Sequence, residues 1–123
     1  MKNKYHSRKI SRDGLTFDSL KEYRRYCELA LLEKAGQITE LKPQVPFELL
    51  PAQYETFERY GKKGQRLKDG SRCIEKAVIY RADFVYKENG KIIVEDTKGF
   101  KTKDYILKRK MMLYFHGIKI KEV

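Results

Sequence analysis

Cysteine is scarce in this chain: Cys27 and Cys73 are the only two, too few to form a structural zinc site by themselves. Histidine is equally scarce. His6 and His116 stand far apart, and neither suggests a histidine-bound metal centre. No apolar run approaches the roughly 20 residues that a membrane-spanning helix needs. The opening Met1-Lys2-Asn3-Lys4-Tyr5-His6 has no apolar segment of the kind found in a secretory signal. A cytoplasmic protein with no membrane partner is therefore expected. Acidic residues are in deficit, 17 Asp and Glu against 28 Lys and Arg, which leaves a net charge of +11. An excess of that size points to a polyanionic partner, nucleic acid first. The plainer reading is a basic surface with no dedicated partner.

The length of 123 residues fits one domain spanning 1–123. Aromatic residues make up 12%, nine of them Tyr, which argues against disorder. Tyrosines alternate with basic residues in Tyr23-Arg24-Arg25-Tyr26, a pattern suited to backbone contacts and base stacking, although Tyr23 and Tyr26 serve equally well as core.

Residues 1–8 read as a mobile basic arm. Asp13-Gly14 predicts a short hairpin. A helix follows from Asp18 or Ser19 to about Ala35, closed by Gly36, with Leu20, Tyr23, Cys27, Ala30 and Leu31 as its apolar stripe. Cys27 is expected to be buried. Pro43, Pro46 and Pro51 make the extended stretch from Ile38 to Leu50 an edge strand or a bent one. The polar, glycine-rich stretch 53–72 reads as a long flexible loop able to reach a ligand. Ile74 to Tyr86 and Lys91 to Lys98 are paired strands. A second helix runs from Asp104 to about His116, with Tyr105, Leu107, Met111, Met112 and Phe115 as its apolar positions. Gly117 ends it, and a last strand covers Ile118 to Val123.

The paired strands carry the chemistry. Asn-Gly between apolar runs is a strong signal for a two-residue hairpin turn. With Asn89-Gly90 as that turn, Glu88 faces Lys91, Val85 faces Val94 and Asp83 faces Asp96. Lys98 then shares the face of Asp96. Like charges placed directly opposite destabilise a sheet, and a bound divalent cation would give them a purpose. Mg²⁺ or Mn²⁺ held by one or two carboxylates, with a lysine beside the attacking water, suits phosphodiester cleavage. The other reading is a surface pair neutralised by Arg81 and Lys98. Glu95 points to the opposite face, and it replaces Asp96 opposite Asp83 if the turn holds an odd number of residues. Glu22 is a third acidic candidate, but Ser19-Leu20-Lys21-Glu22 is also a capping-box pattern. Gln44 either faces the site or is an ordinary exposed glutamine. Lys101, Lys103, Lys108, Arg109 and Lys110 form a basic run that is either a solvated helix face or a track for a DNA backbone.

The segments Phe17 to Tyr26, Ala82-Asp83-Phe84 and Val94-Glu95-Asp96-Thr97-Lys98-Gly99 resemble the PD-(D/E)XK nuclease superfamily, and within it a family of small phage-encoded endonucleases. The resemblance covers the chain from about Phe17 onward in matching order. Ala82 stands where the superfamily name has proline, and Asp96 where glutamate is commoner; neither changes the charge at the metal. The resemblance implies an α/β fold with a restriction-endonuclease-like αβββαβ core, its mixed central sheet flanked by helices. It implies metal ligation by Asp83 and Asp96, metal or water positioning by Glu22, and water activation by Lys98. Arg24, Arg25, Lys101, Lys103 and Lys108 are the DNA contacts expected beside that site. The implied activity is Mg²⁺-dependent hydrolysis of DNA in phage recombination, processing or packaging, with branched DNA as one substrate form, in the host cytoplasm and in a homodimer. The alternative is a non-catalytic basic module on the same fold that binds DNA or protein.

Overall fold

Asn89 and Gly90 have φ values of 52° and 76°, both left-handed, as a two-residue hairpin turn requires. The strands they join, β6 (Val78–Glu88) and β7 (Lys91–Asp96), pair antiparallel with Glu88 opposite Lys91, Val85 opposite Val94 and Phe84 opposite Glu95. One step further along, this register sets Asp83 against Asp96, as the turn chemistry predicts. The computed structural model describes residues 9–12 and 14–123. The arm expected over 1–8 lies outside the described residues.

A short hairpin, β1 (Ile10–Arg12) and β2 (Leu15–Phe17), leads into α1 (Leu20–Lys34). Strands β3 (Thr39–Leu50), β4 (Gln53–Tyr60) and β5 (Arg66–Glu75) follow, then β6 and β7, then α2 (Lys103–His116) and the short β8 (Lys121–Glu122). The main sheet runs β3-β6-β7-β8. β8 is parallel to β7 and the other pairs are antiparallel, so the sheet is mixed. Two buried cores lie against it. One joins Leu49, Tyr80, Ala82 and Val94 to Tyr105 and Met112 of α2. The other joins Phe17, Ile38, Phe84 and Tyr86 to Leu29 of α1. Among the described residues no helix is long and apolar enough to cross a membrane.

The division between the cores exposes a kink. Alternate residues of a strand share a face, yet Tyr80 and Ala82 join the α2 core while Phe84 and Tyr86 join the α1 core. β3 behaves alike: Leu41 packs with the α1 core, Phe47 and Leu49 with the α2 core. Both strands therefore reverse their facing at one place. Gln44 sits there with a left-handed φ of 53°, between Pro43 and Val45, which pair with Phe84 and Ala82. That places Gln44 across from Asp83. The reversal frees Asp83 from either core, and its residue is only half-buried.

Several sequence expectations change, among them the last strand, which covers only Lys121–Glu122. The 53–72 stretch is no loop: β4 and β5 pair as a long antiparallel ribbon, turned at Gly61 to Gln65. Its strands are polar on both faces and bury no residue fully, so they lack the apolar alternation that marks a strand. The strand expected over Ile74 to Tyr86 is consequently broken after Glu75, and β6 begins at Val78. The α1 stripe is also displaced. Leu20, Cys27 and Leu31 are exposed, while Glu22 and Leu29 are buried, with Tyr26 and Leu32 packed beside them. Polar residues occupy the inward face of α1 and disguise it. On α2, Tyr105 and Met112 are buried as expected, whereas Leu107 and Phe115 remain exposed.

Candidate active site

Glu22 is placed by the start of α1. The Ser19 hydroxyl accepts from the Glu22 backbone N–H at 3.1 Å, and the Glu22 carboxylate accepts from the Asp18 backbone N–H at 3.2 Å. The glutamate thus reaches back over the helix N-terminus, as in a capping box, although onto the residue before the cap. It is also only 3% exposed, far more buried than a capping role needs. The capping reading is met in this displaced form, and the burial exceeds what it requires.

Asp83 and Asp96 are held by different donors. Asp83 Oδ2 accepts from the Thr97 backbone N–H at 2.7 Å and from its hydroxyl at 2.8 Å. Asp96, 1% exposed, accepts at Oδ2 from the Tyr80 hydroxyl at 2.7 Å and at Oδ1 from the Lys98 backbone N–H at 3.0 Å. Burial, then the Asp96 charge, raises the Tyr80 phenol well above its usual range, so it stays protonated and remains a donor. Lys98 is exposed, and its ammonium lies over the Tyr105 ring, 5.5 Å from the centroid, a cation–π geometry. The reading of a surface pair neutralised by Arg81 and Lys98 holds only in part: Asp96 is buried and Arg81 donates to the Gln44 side-chain oxygen at 3.3 Å, whereas the Lys98 charge does lower the Asp96 carboxyl against its burial.

Asp83 couples the other two acids. Burial, followed by the Asp83 charge, pushes the Glu22 carboxyl from 4.5 up to about 7. Burial, again followed by Asp83, raises Asp96. Gln44 faces this group: its side-chain amide partly offsets the rise of the Glu22 carboxyl and donates to the Thr16 carbonyl. Asp83 of β6 is therefore coupled electrostatically both to Glu22 of α1 and to Asp96 of β7. Among the described residues no three His, Cys, Asp or Glu side chains form a ready-made metal-ligand set. Mg²⁺ does not need one, since it keeps several waters and takes one or two carboxylates. The donor set fits such a cation: hard oxygen ligands, mutual repulsion that a cation relieves, and Asp83 Oδ1, which accepts no hydrogen bond among the described residues.

The Glu22 shift has a measurable consequence for stability without divalent ions. An acid whose folded pKa lies above its unfolded value holds its proton more tightly when folded. Stability is then full below about 4.5 and declines as pH rises toward 7. The decline is at most roughly 3 kcal/mol. Urea denaturation in EDTA is expected to show it for the parent chain and not for Glu22→Gln, which is the more stable of the two at about pH 8. Equal pH slopes in both chains would contradict this.

Glu95 does something else. It is 0% exposed and faces α1, where Arg25 Nε and Nη2 each donate to it at 2.8 Å and the Tyr86 hydroxyl adds a further bond. Burial raises the Glu95 carboxyl, but Arg25 and Tyr86 more than offset this and leave it below its ordinary value. Glu95 is thus a buried structural anion, on the opposite side of β7 from Asp96.

The basic residues expected to contact nucleic acid divide in the same way. Arg25 is engaged by Glu95 and Glu28. Arg24 lines a surface depression with Lys21, Arg25 and Thr97, beside the Asp83 clamp. Lys101 pairs with Glu122 at 3.3 Å and Lys108 with Asp104 at 3.4 Å, while Lys103 is exposed at the start of α2. Thr97 and Tyr80, which orient the two aspartates, carry no sequence signal beyond their spacing from Asp96.

A family model described as "Protein of unknown function (DUF1064)" matches residues 2–122. No curated protein matches the chain, and no solved structure does.

Proposed function

The chain belongs to the DUF1064 family, and we propose that it is a metal-dependent endodeoxyribonuclease built on a restriction-endonuclease-like core. The observation that carries this reading is the coupling of three carboxylates through Asp83. Two of them are buried and both are held above their ordinary ionisation range. Such an arrangement opposes folding, and strained titration of this kind gathers at functional sites. The order helix, three sheet strands, helix, strand among α1, β3, β6, β7, α2 and β8 supports the core, with the β4–β5 ribbon inserted between its first two strands. The net charge of +11 supports a nucleic-acid substrate.

In this reading Asp83 and Asp96 would hold Mg²⁺ or Mn²⁺, with Glu22 as the third acid. A cation held there would contribute charge stabilisation at the phosphate oxygens and help to generate a nucleophile from water. The protein's own groups provide the positioning. Thr97 fixes Asp83 through two donors, and Tyr80 with the Lys98 backbone fixes Asp96. The Lys98 ammonium, exposed beside Asp96, orients the attacking water and stabilises the anionic phosphate. Arg24 and Lys21 flank the clamp and can hold the phosphate next to the one that reacts. Branched DNA is one substrate form within this proposal.

The test is cleavage of supercoiled and of branched DNA with Mg²⁺ or Mn²⁺ by the parent chain, Asp83→Ala and Lys98→Ala. Cleavage by the parent that both variants lose is the expected result. DNA binding without cleavage under either metal would instead make the chain a non-catalytic module, and cleavage of RNA alone would reassign the substrate.

A further inference from the structure

The β4–β5 ribbon contributes no residue to either buried core, and its two strands pack chiefly on each other. It is nevertheless well built. Phe57 lies against Gly70, where a Cβ would meet the Phe57 ring and Arg59. Arg72 sits over the Phe57 ring, 4.5 Å from its centroid. At the apex the Gly61 N–H donates to the Gln65 carbonyl at 2.8 Å, the Gly64 N–H to the Gly61 carbonyl at 2.9 Å, and the Lys63 N–H to the Gln65 side chain at 3.1 Å. A hydrogen-bonded projection that joins neither core among the described residues calls for a partner. Its charge indicates which. From 59 to 68 it carries Arg59, Lys62, Lys63, Arg66 and Lys68 and no acidic residue. Of these, only Arg66 is ion-paired among the described residues, with Asp69. Exposed Tyr60 lies within the cluster and exposed Tyr54 precedes it on β4.

We propose that this ribbon is a second DNA contact, separate from the carboxylates, whose tip enters the major groove of B-form duplex. The dimensions agree. Eight residues of β4 extend roughly 25 Å, and paired strands lie about 5 Å apart. The B-DNA major groove is about 12 Å wide and admits a two-stranded ribbon, whereas the major groove of A-form RNA is too narrow for side chains to read. Phosphates on both groove walls offset the mutual repulsion of the tip cations. The inference rests on the nuclease reading in taking DNA as the partner.

The test is equilibrium binding of a duplex in EDTA, where no cleavage occurs, as a function of salt. Lys62→Glu/Lys63→Glu alters two exposed turn side chains, and circular dichroism is expected to show an intact fold. The double variant is expected to bind B-form DNA at least about tenfold more weakly, with a log–log salt slope shallower by about 2. On double-stranded RNA the difference between parent and variant is expected to be much smaller. Equal affinity and slope for parent and variant on DNA overturn the proposal, and an equal loss on RNA overturns groove entry. Unchanged DNA binding together with a change of oligomeric state would assign the ribbon to a second copy of the chain. Failure of the parent itself to bind any duplex would fail the nuclease reading, whereas parental binding indifferent to the tip fails this inference alone.

Discussion

Asp96→Asn is expected to abolish metal-dependent DNA cleavage, by at least about 10²-fold, while Glu95→Gln leaves the rate per folded molecule near that of the parent. The two residues are chain neighbours with the same charge, yet β7 turns them to opposite faces. Asp96 lies on the side of Asp83 and Lys98, takes its hydrogen bonds from Tyr80 and the Lys98 backbone, and feels the Asp83 charge. Glu95 is saturated by Arg25 and Tyr86 and has no access to solvent. Asn at 96 keeps the volume and an acceptor oxygen but removes the charge a cation requires. The comparison needs DNA cleavage rates corrected for the folded fraction, because Glu95→Gln weakens an ion pair. Equal loss in both variants would mean that the effect is structural and that Asp96 has no special role.

Arg25→Ala is expected to destabilise the fold by about 3–5 kcal/mol, the range for stripping the partner from a buried charge. For a domain whose whole stability lies in the region of 5–15 kcal/mol, that is a large share. Glu95 would be left fully buried with the Tyr86 hydroxyl and a distant Lys121 ammonium at 4.0 Å. The magnitude comes from the stranded anion more than from the lost bond, so Arg25→Met with Glu95→Leu should recover most of the stability. Chemical denaturation of the single and double variants measures both. If Arg25→Ala lost no more than the ~1 kcal/mol typical of an exposed pair, Arg25 would be free to contact DNA as the sequence suggests, and Glu95 would need another partner.

These two predictions separate what the sequence displays from what it conceals. Asn89-Gly90 is legible because only a few residue types tolerate left-handed φ at both turn positions, and the register of Asp83 and Asp96 follows by counting. The ends of α1 are equally legible through Ser19 and Gly36. Its inward face is not. Periodicity finds apolar stripes, and here the inward face is built from Glu22, Arg25 and Leu29, two of them charged. The residues that make the site and its support are the ones that break the pattern. The ribbon was hidden for a related reason: a two-stranded projection with no buried face has nothing to alternate. The kink at Gln44 depends on a left-handed φ in a residue that seldom adopts one. The sequence therefore hints that Gln44 lies near the site without indicating that the sheet reverses its facing there and brings Asp83 out to the rim.

The proposed nuclease activity requires that Asp83 and Asp96 share a divalent cation. Crystals of the parent chain soaked in Mn²⁺ and measured at the manganese edge test this directly. An anomalous peak is expected in direct contact with carboxylate oxygens of both residues, absent from crystals of Asp83→Asn treated alike. A peak bound elsewhere, or none at all in well-ordered parent crystals, would contradict it.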